Sequence, residues 1–129
     1  MAGVRRYEDL EAWQLAKELR DAIFKLTEKG PVARNLKFRD QLRRSSSSPP
    51  SNIAEGFGRF KPREFANFVR IARGSLLETR NHIQDGQTKE YFSEEDTNSL
   101  LKLHARAMIA TTRLLRYLDS CKGKAPTGW

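Results

Sequence analysis

The sequence is short of several things, and each shortage removes a class of function. One cysteine, Cys121, leaves no partner for an intramolecular disulfide and rules out an all-cysteine metal site. The two histidines, His82 and His104, open neither an H-x-x-x-H nor an H-E-x-x-H spacing. No G-x-S-x-G elbow, glycine-rich phosphate loop, zinc finger or RNA-recognition signature is present. Nowhere does an apolar run approach the roughly 18 to 20 residues that a membrane helix requires. The opening MAGVRRYEDLEAW lacks the apolar block of a secretory signal. Period-two alternation is missing too, so nothing in the chain reads as a strand. These absences predict an all-α, cytoplasmic, non-enzymatic protein with no metal, no cofactor and no membrane partner.

What is present is one domain's worth of chain, 129 residues, carrying helical apolar spacing almost throughout. Over residues 8–29, Ala12, Leu15, Ala16, Leu19, Ala22, Ile23 and Leu26 recur at steps of three and four, and Gly30 and Pro31 close the pattern. A later pattern starts with Pro62 in a first turn, where a missing N–H costs nothing, and Glu64 near the positive end of the helix dipole. Phe65, Phe68, Val69, Ala72, Leu76, Thr79 and Ile83 mark its face, and it is expected to end near Asp85 and Gly86. Gly74 interrupts it at a cost of about 1 kcal/mol against alanine, which predicts that another backbone approaches there. The last pattern opens on Ser93 as N-cap, with Asp96 three residues on, and runs through Leu100, His104, Ala107, Thr111, Leu114 and Leu118. His104 on that stripe is expected to be a satisfied core residue.

Between these lies RRSSSSPPSNIAEGFGR, residues 43–59. Its serines and prolines look like a linker, yet Phe38, Leu42, Ser46, Pro49, Ile53 and Phe57 keep steps of three and four straight through it. A proline-kinked continuous helix keeps that phase because both halves face one core. A loop over residues 45–51 joining two short helices, capped by Ser51 or Asn52, fits as well. In the helical alternative Pro49 and Pro50 free the carbonyls of Ser45 and Ser46. Nearby serine hydroxyls and Asn52 are then the groups to satisfy them. Glu55 is placed to pair with Arg59 at i, i+4, and Gly56 to let helices approach. Together the patterns predict an antiparallel up-down four-helix bundle over residues 8–119, with an N-terminal arm (1–7) and a flexible C-terminal tail (120–129).

The formal net charge is +8, and its placement is uneven. Residues 34–80 hold eleven basic side chains against four acidic ones. Such asymmetry points to a polyanionic partner. The candidate nucleic-acid-binding residues are Arg39, Arg43, Arg44, Arg59, Lys61, Arg63, Arg70 and Arg73, acting on RNA or DNA through phosphate contacts without reading sequence. Phe65 and Phe68 belong to the core rather than to a stacking platform. The alternative is a protein-interaction scaffold whose basic face is merely solvated and whose partner is another protein. Trp13, Phe24, Leu77 and Leu103 fall off the narrow stripes, which predicts apolar surface used in self-association. Pro49, Pro50, Ser51, Asn52, Glu55, Gly56 and Gly74 are assigned to structure or to an interface.

QLRR at residues 41–44, Ser48, Pro50 and SNIAEGFGR at 51–59 resemble the signature of the four-helix-bundle proteins of the 23S ribosomal RNA intervening-sequence family. YEDLEAWQLA at 7–16 is similar to the family's opening, and EFANFVRIARGSLLE at 64–78 to its third helix. The resemblance covers nearly the whole chain up to about residue 118. It implies an up-down bundle with proline inside a long second helix, and association into a ring, a homopentamer. At Ser45, Ser46, Ser47 and Pro49 this chain departs from the family's more usual alanine, valine and isoleucine, which implies looser packing around the kink.

Overall fold

The computed structural model of the chain describes residues 4–121. The first residues of the expected arm, 1–3, and the expected tail from 122 onward lie outside the described residues. Among the described residues every regular element is helical: a 3-10 turn at Tyr7–Asp9, then α1 (Glu11–Leu26), α2 (Pro31–Arg34), α3 (Leu36–Phe57), α4 (Pro62–Thr88) and α5 (Glu94–Ser120).

The first helix is shorter than its apolar pattern. Leu10, extended at φ −76° and ψ 125°, separates the 3-10 turn from α1 and is itself buried. At the other end α1 stops at Leu26, before Gly30 and Pro31, and Thr27 caps it, its backbone N–H at 3.0 Å and its hydroxyl at 2.8 Å both donating to the Ile23 carbonyl. Gly30 then adopts φ +80°, which glycine tolerates and larger residues do not, and lets the chain turn into α2.

The serine-proline stretch is helix. The α3 helix runs unbroken from Leu36 to Phe57 with Pro49 and Pro50 inside it, so the loop alternative for residues 45–51 is excluded. Its start is capped by Asn35, whose Oδ1 accepts from the Phe38 N–H at 3.2 Å while its Nδ2 donates to the Tyr91 hydroxyl at 2.7 Å. Ser45 and Ser46 donate back to the carbonyls of Leu42 and Arg43, at 3.1 and 3.2 Å. Asn52 does not serve the carbonyls freed by the prolines. It donates to the carbonyl and hydroxyl oxygens of Ser48, each at 2.9 Å. The side-chain amide thus braces the turn that contains both prolines.

Small residues also set how closely α3 meets α4. A Cβ placed on Gly56 would lie 2.7 Å from Phe65 Cδ1 and 2.8 Å from Phe68 Cβ, which only the absence of a side chain permits. Farther along, the Thr79 hydroxyl donates to the Ser45 hydroxyl at 3.0 Å, and the Ser48 and Ser75 hydroxyls meet at 2.8 Å. Ser45 and Ser46 are fully buried, so the expected looseness around the prolines is replaced by a closed, hydrogen-bonded seam. Later residues of α3 meet earlier residues of α4 along it, from Phe38 beside Gly86 to Gly56 beside Phe65.

Gly86 explains why α4 runs past its expected end. Inside the helix it gives room to the rings of Phe92 and Phe38, which a Cβ would meet at 2.5 and 3.0 Å. The α4 helix therefore continues to Thr88 and turns through Glu90 at φ +62°. Ser93 caps α5 as expected, accepting from the Asp96 N–H at 3.0 Å. His104 is buried in that helix, and its Nε2 meets the Leu76 carbonyl at 2.7 Å. Each of the four long helices contacts two others, α1 with α3 and α5, and α4 with α3 and α5. Leu19, Ile23, Leu42, Ile53, Phe65, Leu76, Ile83 and Leu100 fill the space between them. Each such side chain contributes roughly 1.5–3 kcal/mol by leaving water.

Gly74 corrects a sequence expectation. It is exposed, and a Cβ there would meet nothing within 4 Å, so no backbone among the described residues approaches it. Leu77 is about half exposed, whereas Trp13, Phe24 and Leu103 are partly covered.

Candidate functional site

The eight basic candidates come from three places rather than one face. Arg39, Arg43 and Arg44 stand on the first half of α3, Arg59, Lys61 and Arg63 surround the α3–α4 turn, and Arg70 and Arg73 lie on α4 beside α5. Their helical settings differ enough that charge alone is a poor guide to availability.

Arg43 is built into the fold. Its Nε donates to the Thr27 hydroxyl at 2.8 Å, one of its terminal nitrogens donates to the Phe24 carbonyl at 3.1 Å, and its guanidinium lies 4.5 Å from the centre of the Phe24 ring. It therefore closes the C-terminal end of α1 from a neighbouring helix, where a cation also complements the helix dipole. Burial, with the charge of Arg39, pushes its pKa below the ordinary arginine range, and a guanidinium there stays charged at neutral pH. Arg39 is half-buried beside it, and its Nε has no hydrogen-bond partner.

Arg70 and Arg73 tie α4 to α5. Arg70 reaches the Asp119 carboxylate at 2.7 Å and the Asn67 side-chain oxygen at 3.2 Å, and Arg73 Nε donates to the Thr112 hydroxyl at 3.2 Å. Arg59 pairs with Glu55 at 2.8 Å, as the i, i+4 spacing predicts, and lies 5.1 Å from the centre of the Phe68 ring. Arg44, Lys61 and Arg63 are different. All three are exposed, and their side chains make no hydrogen bond or ion pair among the described residues. They are the cations of the original eight that phosphate could claim without breaking an existing contact.

The structural group divides as well. Pro49, Pro50 and Gly56 are buried, Asn52 is half-buried and bonded, and Ser51, Glu55 and Gly74 face outward. Ser51 and Pro50 line a shallow groove with Trp13, Lys17 and Arg20 of α1. A separate cavity of about 230 Å³ lies between α1 and α5, lined by Leu10, Ala12 and Leu114, with Glu11, Arg113 and Tyr117 at its edge. None of the eight basic candidates reaches it. Among the described residues no group of His, Cys, Asp and Glu is arranged to hold a metal ion. None of their helices is long and apolar enough to cross a membrane.

A family model described as 23S rRNA-intervening sequence protein matches residues 8–111. The chain belongs to that family. The match to the 23S rRNA-intervening sequence proteins takes in α1 to α4, most of α5 and all eight basic candidates. No curated protein matches the chain.

One residue escaped the sequence reading. Phe60, in the α3–α4 turn, is 70 % exposed and has φ +58°, an arrangement that helical periodicity cannot foresee because the residue lies in neither helix. The signal available was its setting, GRFKPR, an aromatic between basic residues in a turn.

Proposed function

We propose that this member of the family is a non-enzymatic, self-associating helical module that binds nucleic acid through its phosphates. The observation that carries the reading is the trio Arg44, Lys61 and Arg63, exposed and unpaired within a segment of eleven basic and four acidic side chains. Each cation that displaces condensed counterions contributes a modest, salt-sensitive increment, and repetition across subunits multiplies it. The family's description, which names a ribosomal RNA insertion, agrees with an RNA-related setting.

The long helices in this reading form an antiparallel up-down four-helix bundle, with α2 as part of a connection. Supporting it, Phe38, Ser45, Ser48 and Gly56 meet Gly86, Thr79, Ser75 and Phe65 in reverse chain order. Leu76, Arg73 and Arg70 likewise meet His104, Thr112 and Asp119. A ring of five is what the family resemblance implies, and self-association is favoured by the outer face of α4. There Gly74 opens onto empty space between Ile71 and Leu77, which are 53 % and 48 % exposed. A helix glycine with no neighbour inside the chain is accounted for by a neighbour outside it. We place the protein in the cytoplasm, where its lone thiol, Cys121, stays reduced.

The test is binding of unrelated RNA and DNA strands at low salt by wild type and by a variant carrying Arg44→Gln, Lys61→Gln and Arg63→Gln. Wild type is expected to bind both and the variant to lose most affinity. If wild type binds neither even at low salt, the scaffold alternative stands instead. Light scattering measures the assembly independently, and a monomer would refute the ring.

A further inference from the structure

The α3–α4 turn holds an arrangement that the folding of this chain does not account for. Phe60 occupies left-handed backbone at φ +58°, a region that residues with bulky side chains rarely adopt and that glycine or asparagine enters readily. Its ring nevertheless finds no burial, since 70 % of the residue is exposed, the largest value among the exposed large hydrophobic residues described. The turn is firmly formed: the Arg59 N–H donates to the Gly56 carbonyl at 3.1 Å, and the Phe60 N–H to the Phe57 carbonyl at 3.4 Å. Phe60 is thus held out into solvent by a defined backbone, without packing in return. Next to it in sequence are Lys61 and, two residues on, Arg63, both exposed and unpaired. Arg59 on its other side is held by Glu55, and Glu64 is the remaining carboxylate of the segment.

We propose that this turn is a contact site for single-stranded nucleic acid, in which Phe60 stacks on an unpaired base while Lys61 and Arg63 meet the flanking phosphates. The proposal rests on the nucleic-acid reading above and narrows it to a strand class and a site. A projecting aromatic stacks directly on a single strand, whose bases offer open faces, whereas on a duplex it must first unstack a base step at a cost of about a few kcal/mol. The flanking cations supply the backbone attraction, and the ring supplies a sequence-tolerant grip. RNA and DNA strands share this chemistry, so both belong in the test.

The full chain is titrated against labelled oligouridine, oligothymidine and an RNA duplex, as wild type, Phe60→Asn and Phe60→Trp. Asparagine suits left-handed backbone, so Phe60→Asn keeps the turn and removes only the ring. It is expected to lower affinity for both single strands by about five-fold or more, with the duplex unaffected, while Phe60→Trp binds at least as tightly as wild type. Phe60→Asn should leave the salt dependence unchanged. Replacing Lys61 and Arg63 by glutamine should flatten the slope of log affinity against log salt by about 1.4. Equal binding of single strands by wild type and Phe60→Asn overturns the Phe60 site and leaves the broader reading intact. Absence of any binding by wild type overturns both. A Phe60→Asn protein of altered assembly mass but unaltered strand affinity marks the ring as a protein contact and also overturns the proposal.

Discussion

Two glycines in two long helices make opposite predictions for one substitution. Gly56→Ala places a methyl group 2.7 Å from Phe65 Cδ1 and 2.8 Å from Phe68 Cβ. The Phe65 ring could turn by a little, but Phe68 Cβ is fixed to the α4 backbone, so the helices themselves must separate. Overpacking of this kind costs about 1–3 kcal/mol, against a gain of roughly 1 kcal/mol from alanine's better helix propensity. The net expectation is a loss of up to about 2 kcal/mol. Gly74→Ala meets nothing of its own chain within 4 Å, so at protein concentrations too low for assembly only the propensity gain remains and stability rises by about 0.5–1 kcal/mol. Urea unfolding followed by circular dichroism measures both, at one fixed protein concentration because assembly makes stability concentration-dependent. A midpoint for Gly56→Ala above that of wild type would refute the close approach of α3 and α4. Followed by light scattering, Gly74→Ala also loses assembly mass if a second copy seats on that glycine.

Arg43→Ala should destabilise the fold by about 1–3 kcal/mol, the value of hydrogen bonds made by a charged donor, and Arg43→Lys should not restore it, since an ammonium lacks the planar fork that spans Thr27 and Phe24. Thermal unfolding of the three proteins checks this, and wild-type stability in Arg43→Ala would show that the α1 end needs no such closure. Thr79→Val alone should cost about 1 kcal/mol by stripping a partner from buried Ser45, whereas Thr79→Val with Ser45→Ala should recover much of it, a difference read from a double-mutant cycle. Burial holds the His104 pKa below its ordinary 6.5, although the Leu76 carbonyl opposes the shift and Arg80 reinforces it. The unfolded chain therefore takes up the proton more readily. This part of the stability is complete above about pH 6.5 and is lost as pH falls below it. Unfolding midpoints across that window should decline in wild type and decline less in His104→Gln.

The apolar spacing carried most of the helical pattern because packing against one core imposes period on every helix it touches. That is why Phe38, Leu42, Pro49, Ile53 and Phe57 keep phase through four serines and two prolines, which set a continuous helix beside the loop reading until the structure decided for helix. What spacing cannot reveal is what lies opposite a residue. Gly56 and Gly74 look alike in sequence, yet one faces two phenylalanines and the other faces empty space. Arg43 and Arg44 are neighbours in the chain, but a rotation of 100° per residue sends one onto Phe24 and Thr27 and the other into solvent. The same limit hid the ties from Arg70 and Arg73 to α5. The end of α1 was misplaced because its cap is Thr27, an inconspicuous buried residue, and not the more visible Gly30 and Pro31. Phe60 was passed over because turns have no period to read.

The salt dependence of strand binding tests the central claim most directly. Three free cations on one copy can supply a slope of log affinity against log salt of about −2 for a single strand. A self-associating module that lays several copies of Arg44, Lys61 and Arg63 along one strand is predicted to exceed it, and the Gln variant at those three positions to flatten it. A wild-type slope near zero, or undetectable binding at low salt, would contradict the account.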